Sequence, residues 1–380
     1  MINSSQSQQK TKALTGAQAA VEAMRQIDPG VVAAYPITPQ TPIMEDFSKL
    51  VANGKVNTEL IRVESEHSAM SSVIGAQAAG VRAMTASSSA GLALMFEMLG
   101  VASGLRLPIV MHVANRALSS PINIHCDHSD TMGVREQGWI QLYAENPQEV
   151  YDLTFLALNL AEDLKVQLPA LIAQDGFIIS HAVEKVNILN NNVAEKLIGK
   201  YHAETNLLNH KKSETVGSLA LPNFQMEIKQ LQMEATENVL DIYPQMEAKV
   251  EKATGKSYPM VEKYSLKNAN IALVALGSST GTIRHTLKEN PETAQSVGLL
   301  KIRLFRPFPY QKVGELLEQV EKVIVLDRTP TYGSGAPLYL DVKNSLYTFE
   351  NKPEVESVIY GIGGRDFSSE DVLNIINEIK

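Results

Sequence analysis

Four apolar runs of this chain each end on a side chain able to do chemistry. Thr38 follows residues 31–35, Glu66 follows residues 60–63, Ser87, Ser88 and Ser89 follow residues 80–86, and Arg116 follows residues 107–114. If those runs are strands of a parallel sheet, their carboxyl ends share one rim, and residues far apart in sequence meet there. A hydroxyl, a carboxylate and a guanidinium around one crevice suit a small carboxylic acid, because arginine grips a carboxylate with a planar fork that lysine does not reproduce. Each residue also has an ordinary reading. Thr38 can close a proline-rich turn, Glu66 can sit at a helix start where the dipole favours an acid, the serines can begin a helix, and Arg116 can be an ion-paired surface residue.

The elements that must position these side chains are legible from the pattern. Ala17, Ala20, Val21 and Met24 recur at helical spacing, and Pro29-Gly30 stops that helix. Residues 31–35 read as a short buried strand, and three prolines between positions 36 and 42 stiffen the loop beyond it. A helix begins at Ile43. Strands are expected at residues 60–63, 80–86, 107–114 and 169–174, with helices over 92–101 and 149–164. Such alternation predicts a parallel sheet covered on both faces. Between positions 186 and 266 Gln, Glu, Lys and Asn dominate, which predicts a solvated helical connector interrupted near Pro244. Alternation resumes with strands at 271–276, 297–303 and 322–327, giving a second, smaller doubly wound unit. The expected division is 13–190, 191–265 and 266–380.

Composition narrows the function classes. A chain of 380 residues exceeds the usual single-domain size. Its net charge of −8 argues against nucleic acid or an anionic membrane surface as the main partner. No apolar run is long enough to span a bilayer, and residues 1–12 read as a frayed polar tail without a signal peptide's apolar core. The single cysteine, Cys126, suits a reducing cytoplasm and cannot by itself ligate an iron–sulfur cluster. The His125–Asp130 run matches no metal-binding spacing and reads as a hydrogen-bonded polar turn; no metal site is expected in this chain. Gly277-Ser-Ser-Thr-Gly281 could cradle phosphate at a helix start, but it lacks the patterned glycines and the lysine of phosphate loops, which favours a plain turn.

Taken together, the loops resemble a known family. Tyr35-Pro-Ile-Thr-Pro-Gln-Thr-Pro, Glu64-Ser-Glu66-His-Ser-Ala, Thr85-Ala-Ser-Ser-Ser-Ala-Gly-Leu, Val113-Ala-Asn-Arg116-Ala-Leu-Ser and Pro121-Ile-Asn-Ile-His-Cys-Asp-His-Ser-Asp are similar to the alpha subunit of pyruvate:ferredoxin oxidoreductase. Arg135-Glu-Gln-Gly-Trp, Gln174-Asp-Gly-Phe, Leu304-Phe-Arg-Pro-Phe-Pro, Asp327-Arg328 and Gly361-Ile-Gly-Gly-Arg-Asp continue the likeness. It covers nearly the whole chain outside the first dozen residues and the polar connector.

The resemblance implies an α/β fold: a pyrimidine-type thiamine-diphosphate-binding domain with a doubly wound parallel sheet, followed by a smaller domain like the C-terminal domain of transketolase. It implies thiamine diphosphate shared with a beta subunit, Mg2+ and [4Fe-4S] clusters on partner subunits, coenzyme A contacts elsewhere in the assembly, and ferredoxin as electron carrier. By the same resemblance Glu66, rather than Glu64, is the catalytic acid facing the pyrimidine, with Pro36, Ile37, Ser88 and Ser89 also on the cofactor. Thr38 and Arg116 match the substrate contacts, toward the carboxylate and carbonyl of pyruvate. A branched-chain 2-oxoacid enzyme is the alternative substrate reading. A non-catalytic scaffold and a carbon–carbon transferase without electron transfer are the alternatives from other classes.

Overall fold

Strands buried on both faces lose the alternation of half-exposed ones and read as continuous apolar runs, and the centre of this molecule is built from such runs. The computed structural model describes residues 9–203 and 206–379. Its strands are β1 (Gln9–Thr15), β2 (Val31–Ala33), β3 (Glu59–Ile61), β4 (Ala83–Ser87), β5 (Val110–Asn115), β6 (Ile140–Tyr143), β7 (Ala170–Asp175) and β8 (Val183–Leu189). Then come β9 (Val261–Tyr264), β10 (Ile271–Ala275), β11 (Val297–Ile302), β12 (Leu304–Arg306), β13 (Lys322–Asp327) and β14 (Glu354–Ile359). Every residue of β4, β5 and β7 is buried.

The larger sheet has the order β12-β6-β7-β5-β4-β2-β3 and is parallel except for β12, which runs antiparallel to β6. From β2 the chain steps outward to β3, then crosses back to β4 and β5. The strand order therefore reverses beside β2, and in open α/β sheets that reversal opens a crevice at the carboxyl ends. Helices Gly16–Ile27, Thr41–Ala52 and Pro147–Ala161 cover one face, where Met24, Phe47 and Phe155 share a core. Helices Glu66–Ala78 and Phe96–Gly104 cover the other through Met70, Val73 and Leu99. That second core runs on without a break into Ala272, Val274 and Leu300 of the smaller sheet, ordered β14-β13-β10-β11-β9.

Three expectations are corrected. Residues 9–12 of the expected frayed tail belong to β1, which pairs antiparallel with β8 from Gln9–Leu189 to Thr15–Val183; residues 1–8 lie outside the described residues. The connector helix is not interrupted at Pro244: helix Pro222–Thr254 runs through it. Proline removes one backbone donor, but Val239, Tyr243, Met246 and Val250 bury one stripe of the helix in the larger core and hold it together. The helix expected over 92–101 is two, Ser89–Leu94 and Phe96–Gly104, meeting at Met95. No helix among the described residues is long and apolar enough to cross a membrane.

Candidate active site at the strand ends

Ser65 caps helix Glu66–Ala78, its hydroxyl accepting from Ser68 N at 3.2 Å. The helix start is therefore satisfied without Glu66. The two candidate acids part company here. Glu64 is exposed, and the Ser68 hydroxyl donated to it holds its carboxyl below the usual carboxylate range. Glu66 is 7% exposed, and its side chain makes no hydrogen bond or ion pair among the described residues. Its carboxylate lies against the next strand end: a Cβ built on Gly91 would stand 2.5 Å from Glu66 Oε1 and 2.7 Å from Ser87 Oγ.

Arg116 is buried and holds the proline-rich loop. Its Nη1 donates to Thr38 O at 2.9 Å and its Nε to Asn123 O at 3.0 Å. Thr38 and Arg116 thus meet as expected, but through the threonine's backbone carbonyl. Two positions of the arginine fork are taken by the chain itself, leaving Nη2 without a partner among the described residues. The Thr38 side chain is exposed, Pro36 is exposed and Ile37 is half-buried. Ile37 O accepts from Gln40 N at 2.7 Å and Thr41 N at 3.0 Å, which turns the loop directly into helix Thr41–Ala52.

The serines divide by role. Ser88 Oγ donates to Ala114 O and Ser89 Oγ to Ala117 O, both at 2.6 Å, so these hydroxyls fasten the β4 end to the β5 end. Ser87 Oγ, fully buried, has no partner among the described residues. Asp130 completes the join, a role that sequence reading missed inside its polar run. Its Oδ1 accepts from Asn115 Nδ2 and Thr131 N at 2.8 Å, and its Oδ2 from Ser89 N and Arg116 N at 3.0 Å. Burial pushes the Asp130 carboxyl up to about 6 against the pull of these donors. Glu66 and Arg116 do not touch; Ser87–Ser89 on one side and Asp130 on the other link them along the rim.

Asp175, at the end of β7, joins the two sheets. Its Oδ1 meets His128 Nε2 at 2.8 Å, while its Oδ2 accepts from Ser278 N and Arg328 Nη1, each at 3.1 Å, and from the Ser278 hydroxyl. Burial alone would raise its pKa, but His128, Arg328 and the Ser278 hydroxyl together hold it well below the usual carboxylate range. The start of helix Ser279–Glu289, in the Gly277–Gly281 turn, is served by this internal carboxylate. Cys126, His128 and Asp175 bring potential ligand atoms within 4.8 Å of one another, yet Arg328 already balances the acid there. The signal for Asp175 in the sequence was its place at a strand end before glycine.

The comparisons with known proteins converge. Residues 22–248 match the family described as "Pyruvate flavodoxin/ferredoxin oxidoreductase, thiamine diP-bdg", and residues 269–372 match "Pyruvate:ferredoxin oxidoreductase core domain II". Pyruvate synthase subunit PorA of Thermotoga maritima is 51% identical over 95% of this chain and 92% of its own length. Ketoisovalerate oxidoreductase subunit VorA of Pyrococcus abyssi is 38% identical over 97% and 93%. Among solved structures, a 2-oxoglutarate:ferredoxin oxidoreductase from Magnetococcus marinus, with 2-oxoglutarate, coenzyme A and succinyl-CoA bound, superposes with a TM-score of 0.77 at 20% identity. That alignment takes in 97% of this chain and 65% of the longer one, and at this identity it shows the fold. By family match and by identity to its relatives, the chain belongs to the pyruvate:ferredoxin oxidoreductase family.

Proposed function

We propose that this chain is the alpha subunit of a thiamine-diphosphate-dependent pyruvate:ferredoxin oxidoreductase, which converts pyruvate and CoA to acetyl-CoA and CO2 while ferredoxin takes up the electron pair. The observation that carries this reading is Glu66, a buried acid at a strand end whose carboxylate has no partner among the described residues. That carboxylate is available to a polar ligand. With the unpartnered Ser87 hydroxyl beside it, the crevice fits a ligand that offers a ring nitrogen.

Thiamine diphosphate, when bound, supplies a carbon nucleophile and an electron sink for decarboxylation. The chain's own part is to hold a proton at Glu66 Oε1 or Oε2 against the pyrimidine, with Pro36 and Ile37 shaping the loop and Ser88 and Ser89 fixing the wall beside it. Arg116 Nη2 and the Thr38 hydroxyl face the substrate carboxylate and carbonyl. The functional units are 13–190 for the pyrimidine, 191–265 as connector and 266–380 as the transketolase-like part.

The remainder of the site belongs to partners. A beta subunit brings the diphosphate and Mg2+ contacts, and iron–sulfur and CoA-contacting subunits complete the electron path, since one cysteine cannot hold a [4Fe-4S] cluster. The buried Cys126 suits the reducing cytoplasm, where we place the assembly. The likeness to a ketoisovalerate oxidoreductase subunit supports a second substrate reading, a branched-chain 2-oxoacid.

The purified assembly, assayed with a panel of 2-oxoacids, CoA and a viologen dye, is expected to turn over pyruvate fastest. Preference for 2-oxoisovalerate would overturn the substrate reading, and an iron-free, colourless assembly would overturn electron transfer. Arg116→Lys is expected to weaken pyruvate binding by about 1.5–3 kcal/mol, as for hydrogen bonds to charged groups. An unchanged KM and turnover would remove Arg116 from the substrate site.

A further inference from the structure

Gly91 lies inside helix Ser89–Leu94, where its backbone is not in the left-handed region. Alanine is the stronger helix former at such a position, so backbone conformation gives no reason for glycine. Space does. The point where a Cβ would stand is 2.5 Å from Glu66 Oε1, 2.8 Å from Glu66 Cγ and 2.7 Å from Ser87 Oγ. Carboxylate and hydroxyl share the hollow that the missing side chain leaves.

Ser87 is the second observation. It is fully buried at the end of β4, and its hydroxyl has no hydrogen-bond partner, whereas the hydroxyls of Ser88 and Ser89 are both spent on carbonyls. Buried hydroxyls without partners are uncommon and call for an explanation. This one borders the same hollow as the carboxylate of Glu66: both lie within 2.7 Å of the point where a Gly91 Cβ would stand.

We propose that Gly91 and Ser87 are positioning residues that seat the Glu66 carboxylate: Gly91 opens the slot, and the Ser87 hydroxyl steadies the acid within it. The inference rests on the reading of Glu66 as the acid facing the cofactor. Neither residue touches the reacting atoms; both act through Glu66. The atoms crowded by Gly91→Ala are side-chain atoms of Glu66 and Ser87, which can swing aside. Making room for the added methyl therefore moves the carboxylate.

The test uses the holoenzyme with bound thiamine diphosphate. Gly91→Ala is expected to slow deuterium exchange at the cofactor C2 roughly 100-fold, the scale of an ångström-sized misplacement, while the variant still melts cooperatively. A second readout is binding alone: the ratio of affinities for thiamine diphosphate and for an analogue with the pyrimidine N1′ replaced by carbon. That ratio should fall toward one in Gly91→Ala, because discrimination depends on the carboxylate meeting N1′. In a Glu66→Gln background, Gly91→Ala should cause no further loss of exchange. Ser87→Ala, which crowds nothing, should slow exchange and shift its pH profile, and it decides the case if Gly91→Ala does not fold.

If Glu66→Gln loses exchange while Gly91→Ala keeps both exchange and discrimination, the inference fails and the role of Glu66 stands. Should Glu66→Gln itself retain exchange, the reading and the inference fall together. A general fall in melting temperature with both affinities reduced in parallel would assign Gly91 a packing role and overturn the proposal.

Discussion

Glu66→Gln in the assembled enzyme is expected to slow C2 deuterium exchange of bound thiamine diphosphate by about 10²–10⁴-fold, the contribution of a positioned acid–base group. Stability should change little. Glutamine keeps the volume, the helix is already capped by Ser65, and the Glu66 side chain has no hydrogen bond among the described residues to lose. The most the fold can forfeit is the favourable charge at the helix start, about 0.3–1 kcal/mol. The two magnitudes separate the roles: a helix-start residue would show a small stability loss and normal exchange. Retained exchange refutes the assignment of Glu66.

Asp175→Ala should produce the largest stability loss, about 3–5 kcal/mol, because it strands two buried groups, His128 and Arg328, without their partner. Asp175→Asn, which keeps the shape, should lose less. The effect carries a pH signature. The carboxyl is held down in the folded state, so its stabilisation is complete above the ordinary aspartate range near 4 and fades as pH falls through and below it. Melting curves of wild type and Asp175→Ala should therefore stand far apart at neutral pH and converge on acidification. A gap that is constant with pH would show that the joint works by packing rather than by charge.

Much of the fold was legible because its central strands are mostly apolar runs bounded by polar or glycine-containing turns. β4, β5, β7, β10 and β13 all stood out in that way. The strands that escaped notice carry other signals. β1 is a polar alternation, Gln-Lys-Thr-Lys, that makes sense only against β8. β6 and β12 span only four and three residues. β14 is largely unburied, so no apolar run announces it.

The site was legible at the level of strand ends and not of atoms. Thr38 and Arg116 could be placed on one rim, but not the donation to a carbonyl that joins them. Among three consecutive serines, only the register between strand β4 and the helix after it decides which hydroxyl is left without a partner. Asp130 accepts hydrogen bonds from residues on two strand ends, and nothing in its own neighbourhood of sequence reveals that.

β12 comes from the later part of the chain yet completes the earlier sheet, with Leu304 opposite Leu142 and Arg306 opposite Gln141. The molecule is therefore laced, not merely stacked. A fragment ending in the long helix would leave β6 as a bare sheet edge, an open template for pairing with other chains. A fragment beginning after that helix would carry a strand with nothing to pair to. Anyone dissecting this subunit for expression should accordingly cut around the whole lacing or not at all.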